Sequence, residues 1–248
     1  MQRYATILMA GRSRRFGGGD KCLTSLRGQP IAFYALEAFR KAENFDRYLL
    51  VYRDESQKKL FENFVKKKYS AGELAKIVWV TGGPERMFSV FNALEFVHKQ
   101  LRADAYIFIH DGARPMITAE QILAIDALLS PERGVVLGHR ATDTIIAATA
   151  ESDPETDRKN PITTAHPPLT ISAQRRQYLW RDALWVLETP QAFYFPAIFK
   201  DYGAAIHSRR HFTDDSSIFS GAIKILENSR VNLKITAKED LELLSKII

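Results

Sequence analysis

Short apolar segments alternate with amphipathic helical patterns along the first half of this chain. In Ile31–Lys41, for example, apolar side chains recur at near-helical spacing while charged residues take the other face. The alternation predicts an α/β fold with a mostly parallel sheet and helices on both faces. The predicted strands are Thr6–Met9, Tyr48–Tyr52, Ile77–Val80, Tyr106–Ile109 and Val135–Gly138, and the predicted helices are Ile31–Lys41, Glu55–Lys68, Ser89–Gln100 and Ala119–Leu129.

In such a sheet, ligands bind at the carboxyl ends of the strands. Three segments fall at that edge, Ala10–Lys21, Thr81–Arg86 and His110–Pro115, and the first holds four glycines, three arginines and a lysine. Glycines let backbone amides approach phosphate oxygens, and the cations neutralise the phosphate charge. The loop predicts a polyphosphate site in which Arg15 and Lys21 clamp a triphosphate; a structural basic turn is the alternative. Its spacing matches neither the Walker nor the dinucleotide-binding pattern.

The segment after the third predicted strand is also rich in glycine and runs from Gly82 to Val90. Glycines at a strand end leave room for a flat base against the backbone. Ser89 is predicted either to hydrogen-bond that base or to cap the helix that follows.

An aspartate ends the fourth predicted strand, in the run Ile109-His110-Asp111-Gly112-Ala113-Arg114-Pro115. A carboxylate at that place is poor for packing and well placed to hold Mg²⁺. His110 is predicted to be a packed neighbour of the site rather than a catalyst.

The second half of the chain is less regular. Residues 151–168 contain four prolines and many polar groups, which predicts a loop or protruding hairpin between strand-like Thr144–Ala148 and Leu169–Ala173. The strand pattern resumes at Ala183–Leu187, and the chain is predicted to close with a strand and a helix. We therefore predict a single domain over residues 1–248 with an arm at about 140–180. The closing elements are Val231–Thr236 and Lys238–Ile248.

Composition limits the classes of protein that fit. The chain has 248 residues, one cysteine and a formal net charge of +6. The single Cys22 excludes an intramolecular disulfide and a cysteine-based zinc site; it is predicted to be a packing residue, with a thiol pKa lowered by Lys21 as the alternative. The positive charge fits a solvated basic surface or an anion site, and nucleic acid binding is not expected because no basic face with aromatic platforms is evident. No signal peptide or membrane span is expected, which predicts a cytoplasmic protein.

Taken in order, these segments resemble the 2-C-methyl-D-erythritol 4-phosphate cytidylyltransferase family, one of the sugar- and polyol-phosphate cytidylyltransferases. The resemblance runs from about Thr6 to Leu241. The motifs that carry it are Gly82-Gly83-x-x-Arg86-x-x-Ser89-Val90, His110-Asp111-Gly112-Ala113-Arg114-Pro115, Thr189-Pro190-Gln191 and Asn232-x-Lys234-Ile235-Thr236. It implies a Rossmann-like fold and transfer of a cytidylyl group from CTP to methylerythritol phosphate, with release of pyrophosphate, in the non-mevalonate isoprenoid pathway.

The resemblance also implies roles for individual residues. The catalytic cations are Arg15, Lys21 and Lys234, and Mg²⁺ is held by Asp111. The cytidine pocket and nucleotide contacts are Ala10, Gly11, Gly83, Ser89 and Asp111. The polyol-phosphate contacts are Arg114, Thr144, Arg181 and Thr189, of which Thr144 and Arg181 reach the site from a partner subunit's arm, so that the protein is a homodimer.

This sequence departs from the family pattern at several places. Asp20-Lys21-Cys22 stands where proline-lysine-glutamine is common, and the loop from Arg15 to Lys21 is one residue short. Ile146 replaces a basic residue in the arm, and Val231 stands where some members have an aspartate. The alternatives left open are ribitol-5-phosphate cytidylyltransferase and a non-catalytic nucleotide-binding protein.

Overall fold

The computed structural model describes residues 1–148, 176–207, 212 and 214–247. Its strands are β1 Gln2–Leu8, β2 Ser25–Leu26, β3 Gln29–Pro30, β4 Arg47–Tyr52, β5 Ile77–Thr81, β6 Ala105–Asp111, β7 Arg133–Arg140, β8 Ile146–Ala148, β9 Arg176–Tyr178, β10 Trp185–Tyr194 and β11 Ala222–Glu227. Its α-helices are α1 Ile31–Lys41, α2 Glu55–Lys66, α3 Ala71–Leu74, α4 Arg86–Gln100, α5 Ala119–Asp126, α6 Phe195–His207 and α7 Lys238–Ile247.

Seven of these strands form one sheet in the order β11-β7-β10-β6-β1-β4-β5. Strand β1 pairs in parallel with β4 and β6, β4 with β5, and β7 with β11. Strand β10 runs antiparallel to its neighbour β6 in this sheet. The prediction of a mostly parallel α/β sheet is confirmed.

Side chains of the central strands alternate between two hydrophobic cores. In β4, Leu50 packs on one face while Leu49 and Val51 pack on the other, and Phe108 and Ile109 of β6 divide in the same way. Helices α1, α2 and α5 cover the first face, and α4 and α6 cover the second. Helices therefore lie on both faces, as predicted, and the strands are buried on both sides, as parallel sheets require.

The helix boundaries follow local hydrogen bonding. Helix α2 begins at Glu55 because the side chain of Asp54 accepts from the backbone N–H of Gln57, and it ends at Lys66, two residues before the predicted end. Helix α4 begins at Arg86, so Ser89 lies inside its first turn and does not cap it. The capping interpretation of Ser89 is wrong.

The second half of the chain differs most from the prediction. Residues 231–236 form no strand, so the predicted strand Val231–Thr236 is wrong. The segment instead contacts the loop after β6, where Ile235 N–H donates to the carbonyl of Ala113 at 2.9 Å. Strand β10 starts later and runs much further than the predicted Ala183–Leu187, and α6 and β11 were not predicted.

The described chain separates into two compact units, Met1–Gly138 with Leu187–Ile248, and His139–Val186. The smaller unit contains the antiparallel pair β8–β9 and a cation–π contact of Arg140 over the ring of Trp185 at 4.6 Å. The predicted strand Leu169–Ala173 and the proline-rich residues 151–168 lie outside the described residues. No described helix combines the length and the apolar character that crossing a membrane requires.

Candidate active site

A cavity of about 940 Å³ lies at the carboxyl ends of β1, β4, β5 and β6, within the larger unit. It collects residues from all three segments that were predicted to fall at this edge, together with the segment after β11. Six cationic side chains line it against two carboxylates. The cations are Arg12, Arg15, Lys21, Arg53, Arg86 and Lys234, and the carboxylates are Glu85 and Asp111. A cavity with this charge is suited to a polyanion.

The glycine-rich loop folds over one side of the cavity. A 3-10 turn at Arg14–Phe16 follows Ser13, whose φ is 51°, and Gly17, Gly18 and Gly19 all have positive φ. Three successive residues in that region explain why the loop is glycine-rich, since side chains disfavour it. Phe16 is buried and anchors the turn in the core, while the adjacent Arg15 is exposed at the cavity.

Two lysines from opposite ends of the chain meet at the cavity floor. Lys21 Nζ donates to the carbonyl of Ile235 at 3.0 Å, and Lys234 Nζ lies 2.6 Å from Asp111 Oδ2. Burial lowers the pKa of Lys21, and the positive charge of Lys234 adds to this effect. Both lysines line the cavity, and their like charges attract an anion that can compensate them.

Asp111 is the central carboxylate of the cavity. It is 8% exposed, and its Oδ1 accepts from Arg86 Nε at 3.1 Å while Oδ2 pairs with Lys234. Burial opposes ionisation, but the charges of Arg86 and Lys234 outweigh it and hold the pKa of Asp111 well below its usual range. The carboxylate therefore stays ionised at any physiological pH.

Arg86 belongs to the motif that follows β5, but the sequence indicated no role for its side chain. Its Nη1 and Nη2 donate to the two carboxylate oxygens of Asp215 at 2.8 and 2.7 Å, and Tyr202 O–H donates to the same carboxylate. Asp215 is fully buried. The bidentate pair fixes the guanidinium so that its remaining Nε points to Asp111. No local pattern could have revealed a pairing between residues 129 positions apart.

Gly83 and Ser89, which were predicted to lie beside a base, are found where β5 meets α4. Ser89 is 5% exposed, and its Oγ accepts from the backbone N–H of Gly83 at 3.0 Å. A Cβ on Gly82 would clash with the methyl of Ala10, so only glycine allows the two backbones to lie this close. Ala10, Gly11, Gly83 and Ser89 all line the cavity.

His110 lies behind Asp111 and is fully buried. Its Nε2 contacts the carbonyl of Arg114 at 3.0 Å, which assigns the proton to Nε2, and Nδ1 then accepts from Thr189 Oγ1 at 3.2 Å. Thr189 Oγ1 in turn accepts from the backbone N–H of Asp111 at 3.1 Å. This chain of hydrogen bonds fixes the backbone at Asp111, and His110 is a packed neighbour of the site, as predicted.

Burial lowers the pKa of His110 to about 4, from an ordinary value of 6.5. As the pH falls, His110 gains a proton at a higher pH in the unfolded chain than in the folded protein. The contribution of neutral His110 to the free energy of unfolding is therefore complete above pH 6.5. It is lost as the pH falls toward 4, by about 3 kcal/mol in total. We expect urea unfolding of a His110→Gln variant to show a weaker pH dependence than the wild type between pH 6.5 and 4. Parallel curves for the two proteins would contradict a neutral buried His110.

Cys22 borders the cavity but is 2% exposed. Burial raises the pKa of its thiol to about 12, and the carboxylate of Asp20 adds to the shift, so the alternative of a thiol activated by Lys21 is wrong. We expect the native protein to resist a thiol-specific disulfide reagent at pH 8, and the urea-unfolded protein to react at its one cysteine. Rapid reaction of the native protein would show that the thiol is accessible and ionised.

The four predicted polyol-phosphate contacts do not line the cavity. Thr189 is buried behind Asp111, and Arg114 Nη1 donates to the carbonyl of Asn232 at 2.7 Å. Asn232 Nδ2 in turn donates to Glu188 Oε2 and to the carbonyl of Thr189, each at 3.0 Å. Thr144 and Arg181 belong to the smaller unit, where both are exposed.

Asp111 could hold a divalent cation only if a bound molecule supplied further oxygen atoms to the ion. Among the described residues no group of three or more histidine, cysteine or carboxylate side chains could hold a metal ion. Val231, at the position where an aspartate could have shared the metal, is 54% exposed. A single ionised carboxylate is nevertheless what Mg²⁺ commonly uses when nucleotide phosphates and water supply its other ligands.

The chain matches one protein family over nearly its whole length. A model of the 2-C-methyl-D-erythritol 4-phosphate cytidylyltransferase family matches residues 4–173 and 172–248. The chain is 30% identical over 240 residues to the protein of that name from Dictyoglomus thermophilum, covering 95% of this chain and 91% of the relative. It is 32% identical over 245 residues to the one from Caldanaerobacter subterraneus subsp. tengcongensis, covering 97% and 96%.

Solved structures show the same fold. The 4-diphosphocytidyl-2C-methyl-D-erythritol synthase of Anaerococcus prevotii aligns with a TM-score of 0.76 at 21% identity, covering 99% of this chain and 95% of that one. The 2-C-methyl-D-erythritol 4-phosphate cytidylyltransferase of Francisella tularensis aligns with a TM-score of 0.69 at 23% identity, with both chains covered in full.

Proposed function

This chain belongs to the 2-C-methyl-D-erythritol 4-phosphate cytidylyltransferase family, and we propose that it transfers the cytidylyl group of CTP to 2-C-methyl-D-erythritol 4-phosphate. The products are the CDP-linked methylerythritol and pyrophosphate. The observation that carries the proposal is the cavity itself, in which Lys21 and Lys234 meet beside Asp111 under a basic glycine-rich loop.

The reaction forms a bond between a phosphate oxygen of the polyol phosphate and the α-phosphorus of CTP. The bond from the α-phosphorus to the bridging oxygen breaks, and its electron pair leaves with pyrophosphate. Because the attacking group is already an anion, no general base is needed. What remains is to bring two polyanions together and to stabilise charge on the α-phosphate, and both tasks need fixed cations.

The cations of the cavity are placed for these tasks. Arg15 is exposed on the loop and free to grip the β- and γ-phosphates, while Lys21 is tethered at its Nζ to the carbonyl of Ile235. We assign the stabilisation of the α-phosphate to Lys21 and Lys234. The side chain of Lys234 is 37% exposed, so its ammonium group can leave Asp111 and pair with a phosphate oxygen instead.

The nucleoside is assigned to the glycine-rich wall. Backbone groups of Ala10, Gly11 and Gly83 border a narrow space, and Ser89 holds the Gly83 amide in place. Asp111 would hold Mg²⁺ together with CTP phosphates. When bound, the ion neutralises phosphate charge and draws the triphosphate toward the carboxylate.

The second substrate is assigned to Arg114, Thr144, Arg181 and Thr189. This assignment rests on the family resemblance, since none of the four side chains lines the cavity. The same resemblance assigns Thr144 and Arg181 to an arm at about 140–180 that reaches a partner subunit. A single domain over residues 1–248, a homodimer and a cytoplasmic location are further parts of the proposal.

The test is release of pyrophosphate by the purified protein with CTP and Mg²⁺. We expect rapid release with methylerythritol phosphate and slow or no release with ribitol 5-phosphate or other polyol phosphates. Preference for ribitol 5-phosphate would overturn the assignment of the polyol. Binding of CTP without release on any acceptor would show a non-catalytic nucleotide-binding protein.

A further inference from the structure

Both ends of the glycine-rich loop contact the turn that follows β4. At the start of the loop, the carbonyl of Gly11 accepts from Arg53 Nη1 at 3.4 Å. At its end, the carboxylate of Asp20 lies 3.2 Å from the same nitrogen. One guanidinium nitrogen therefore spans residues nine positions apart in sequence, on either side of the three glycines with positive φ.

The amide of Gln57 in α2 reinforces this closure. Gln57 is 1% exposed, and its Nε2 donates to Asp20 Oδ2 at 2.5 Å and to the carbonyl of Met9, at the end of β1, at 3.0 Å. Its Oε1 accepts from the backbone N–H of Arg53 at 2.7 Å. Every hydrogen of this buried amide is used to join the loop, the first strand and the turn after β4.

The other carboxylate oxygen of Asp20 shapes the turn that carries Lys21. Asp20 Oδ1 accepts from the backbone N–H groups of Cys22 and Leu23 at 2.9 and 3.3 Å. The backbone N–H of Lys21 donates to Ser13 Oγ at 3.3 Å, which ties the turn back to the loop. Asp20, which contacts Arg53 and Gln57, therefore also fixes the backbone turn from which the Lys21 side chain extends.

We propose that Asp20, Arg53 and Gln57 form a latch that holds the glycine-rich loop closed, and that they are positioning residues for Arg15 and Lys21. A run of glycines is costly to order, and three of them without an anchor would sample many open conformations. The latch supplies that order before CTP arrives, so less binding free energy is lost on closing the loop. The part of the inference that concerns CTP rests on the proposed function.

The latch also gives Arg53 a role other than direct contact with the nucleotide. Arg53 lines the cavity, but its Nε is engaged by Asp54 Oδ2 at 2.7 Å and its Nη1 by Asp20 and Gly11. Arg53 therefore joins the glycine-rich loop to the residue that precedes α2. Two departures from the family pattern occur together here: the loop is one residue short, and an aspartate precedes Lys21. The contacts of Asp20 with Arg53 and Gln57 hold the two ends of this shorter loop together.

The test uses two variants of the whole protein and a matched control. Asp20→Asn keeps the acceptor for Cys22 and Leu23 but turns an amide toward the donors of Gln57 and Arg53. Arg53→Gln removes the guanidinium that joins Gly11 to Asp20. Glu242→Gln makes the same change from carboxylate to amide on the exposed side of α7 and serves as the control.

Two measurements report whether the latch holds the loop closed: hydrogen exchange without ligand, and the KM for CTP. In the absence of any ligand, we expect hydrogen exchange over residues 12–24 to be about tenfold faster in Asp20→Asn, the factor for loss of one charge-assisted hydrogen bond. The KM for CTP should rise by about tenfold and kcat should change by less than about threefold, because the loop must then be ordered on binding. Arg53→Gln should give the same fast exchange over residues 12–24, and Glu242→Gln should change neither value.

Unchanged exchange and unchanged KM in Asp20→Asn would overturn the latch. If Asp20→Asn fails to fold, Arg53→Gln serves alone, and exchange over residues 12–24 as slow as in the wild type would then overturn the latch. A wild-type protein that transfers no cytidylyl group would contradict the proposed function alone, since the exchange measurement tests the latch without substrate.

Discussion

Replacing Lys234 by alanine is expected to lower kcat for cytidylyl transfer by about 10²–10³, the usual loss when one preorganised donor to a developing charge is removed. Lys234 Nζ lies 2.6 Å from Asp111 at the cavity floor, on a segment held by the hydrogen bond from Ile235 to Ala113. The alanine variant keeps that backbone and loses the lysine side chain with its charge. The loss should therefore appear mainly in kcat, with a smaller change in the KM for CTP.

Lys224→Ala is the matched control, since Lys224 is an exposed lysine of β11 outside the cavity wall. We expect its kcat to stay within about twofold of the wild type. A near-normal rate in Lys234→Ala, with pyrophosphate release measured at saturating CTP, would remove Lys234 from the mechanism.

Replacing Arg86 by methionine is expected to lower the free energy of unfolding by about 3–5 kcal/mol. The guanidinium makes two hydrogen bonds to Asp215, which is fully buried, and one to Asp111. Methionine fills similar space but leaves the Asp215 carboxylate with no counter-charge from this side chain. Urea unfolding at pH 7, followed by tryptophan fluorescence or circular dichroism, measures the difference.

The control for this stability measurement is Lys99→Met, which breaks the exposed pair with Glu95 one helical turn away at 3.2 Å. Exposed pairs of this kind contribute about 0.5 kcal/mol or less, so the urea midpoint should barely move. If Arg86→Met also changed the midpoint only slightly, the buried pair with Asp215 could not be a major support of the site.

Local patterns in the sequence predicted the parts of the fold that depend on local forces. The apolar runs around Leu50 and Phe108 are strands because both of their faces are buried, and the amphipathic pattern of Ile31–Lys41 gives α1 with the predicted ends. The three segments at the carboxyl edge meet in one cavity because parallel strands place their ends together. These inferences need only periodicity and chain direction.

Contacts between distant residues could not be predicted in the same way. Residues 231–236 look like a strand because they alternate, but they pair with no strand; Asn232 is held instead by the side chain of Glu188. The Arg86–Asp215 pair and the closure of the loop by Gln57 join residues separated by 129 and 37 positions. Nothing in the local composition around these residues indicates their partners, and only the packed fold brings them together.

The most direct test of the central claim follows the α-phosphorus itself. The purified protein is given CTP carrying a radioactive α-phosphorus, together with 2-C-methyl-D-erythritol 4-phosphate and Mg²⁺, and the products are separated by charge. We expect the label to appear in a CDP-linked polyol in amounts equal to the pyrophosphate released, and to stay in CTP with the Lys234→Ala variant over the same time. Label that remains in CTP with the wild-type protein, or that appears in CMP rather than in the linked product, would contradict cytidylyl transfer by this site.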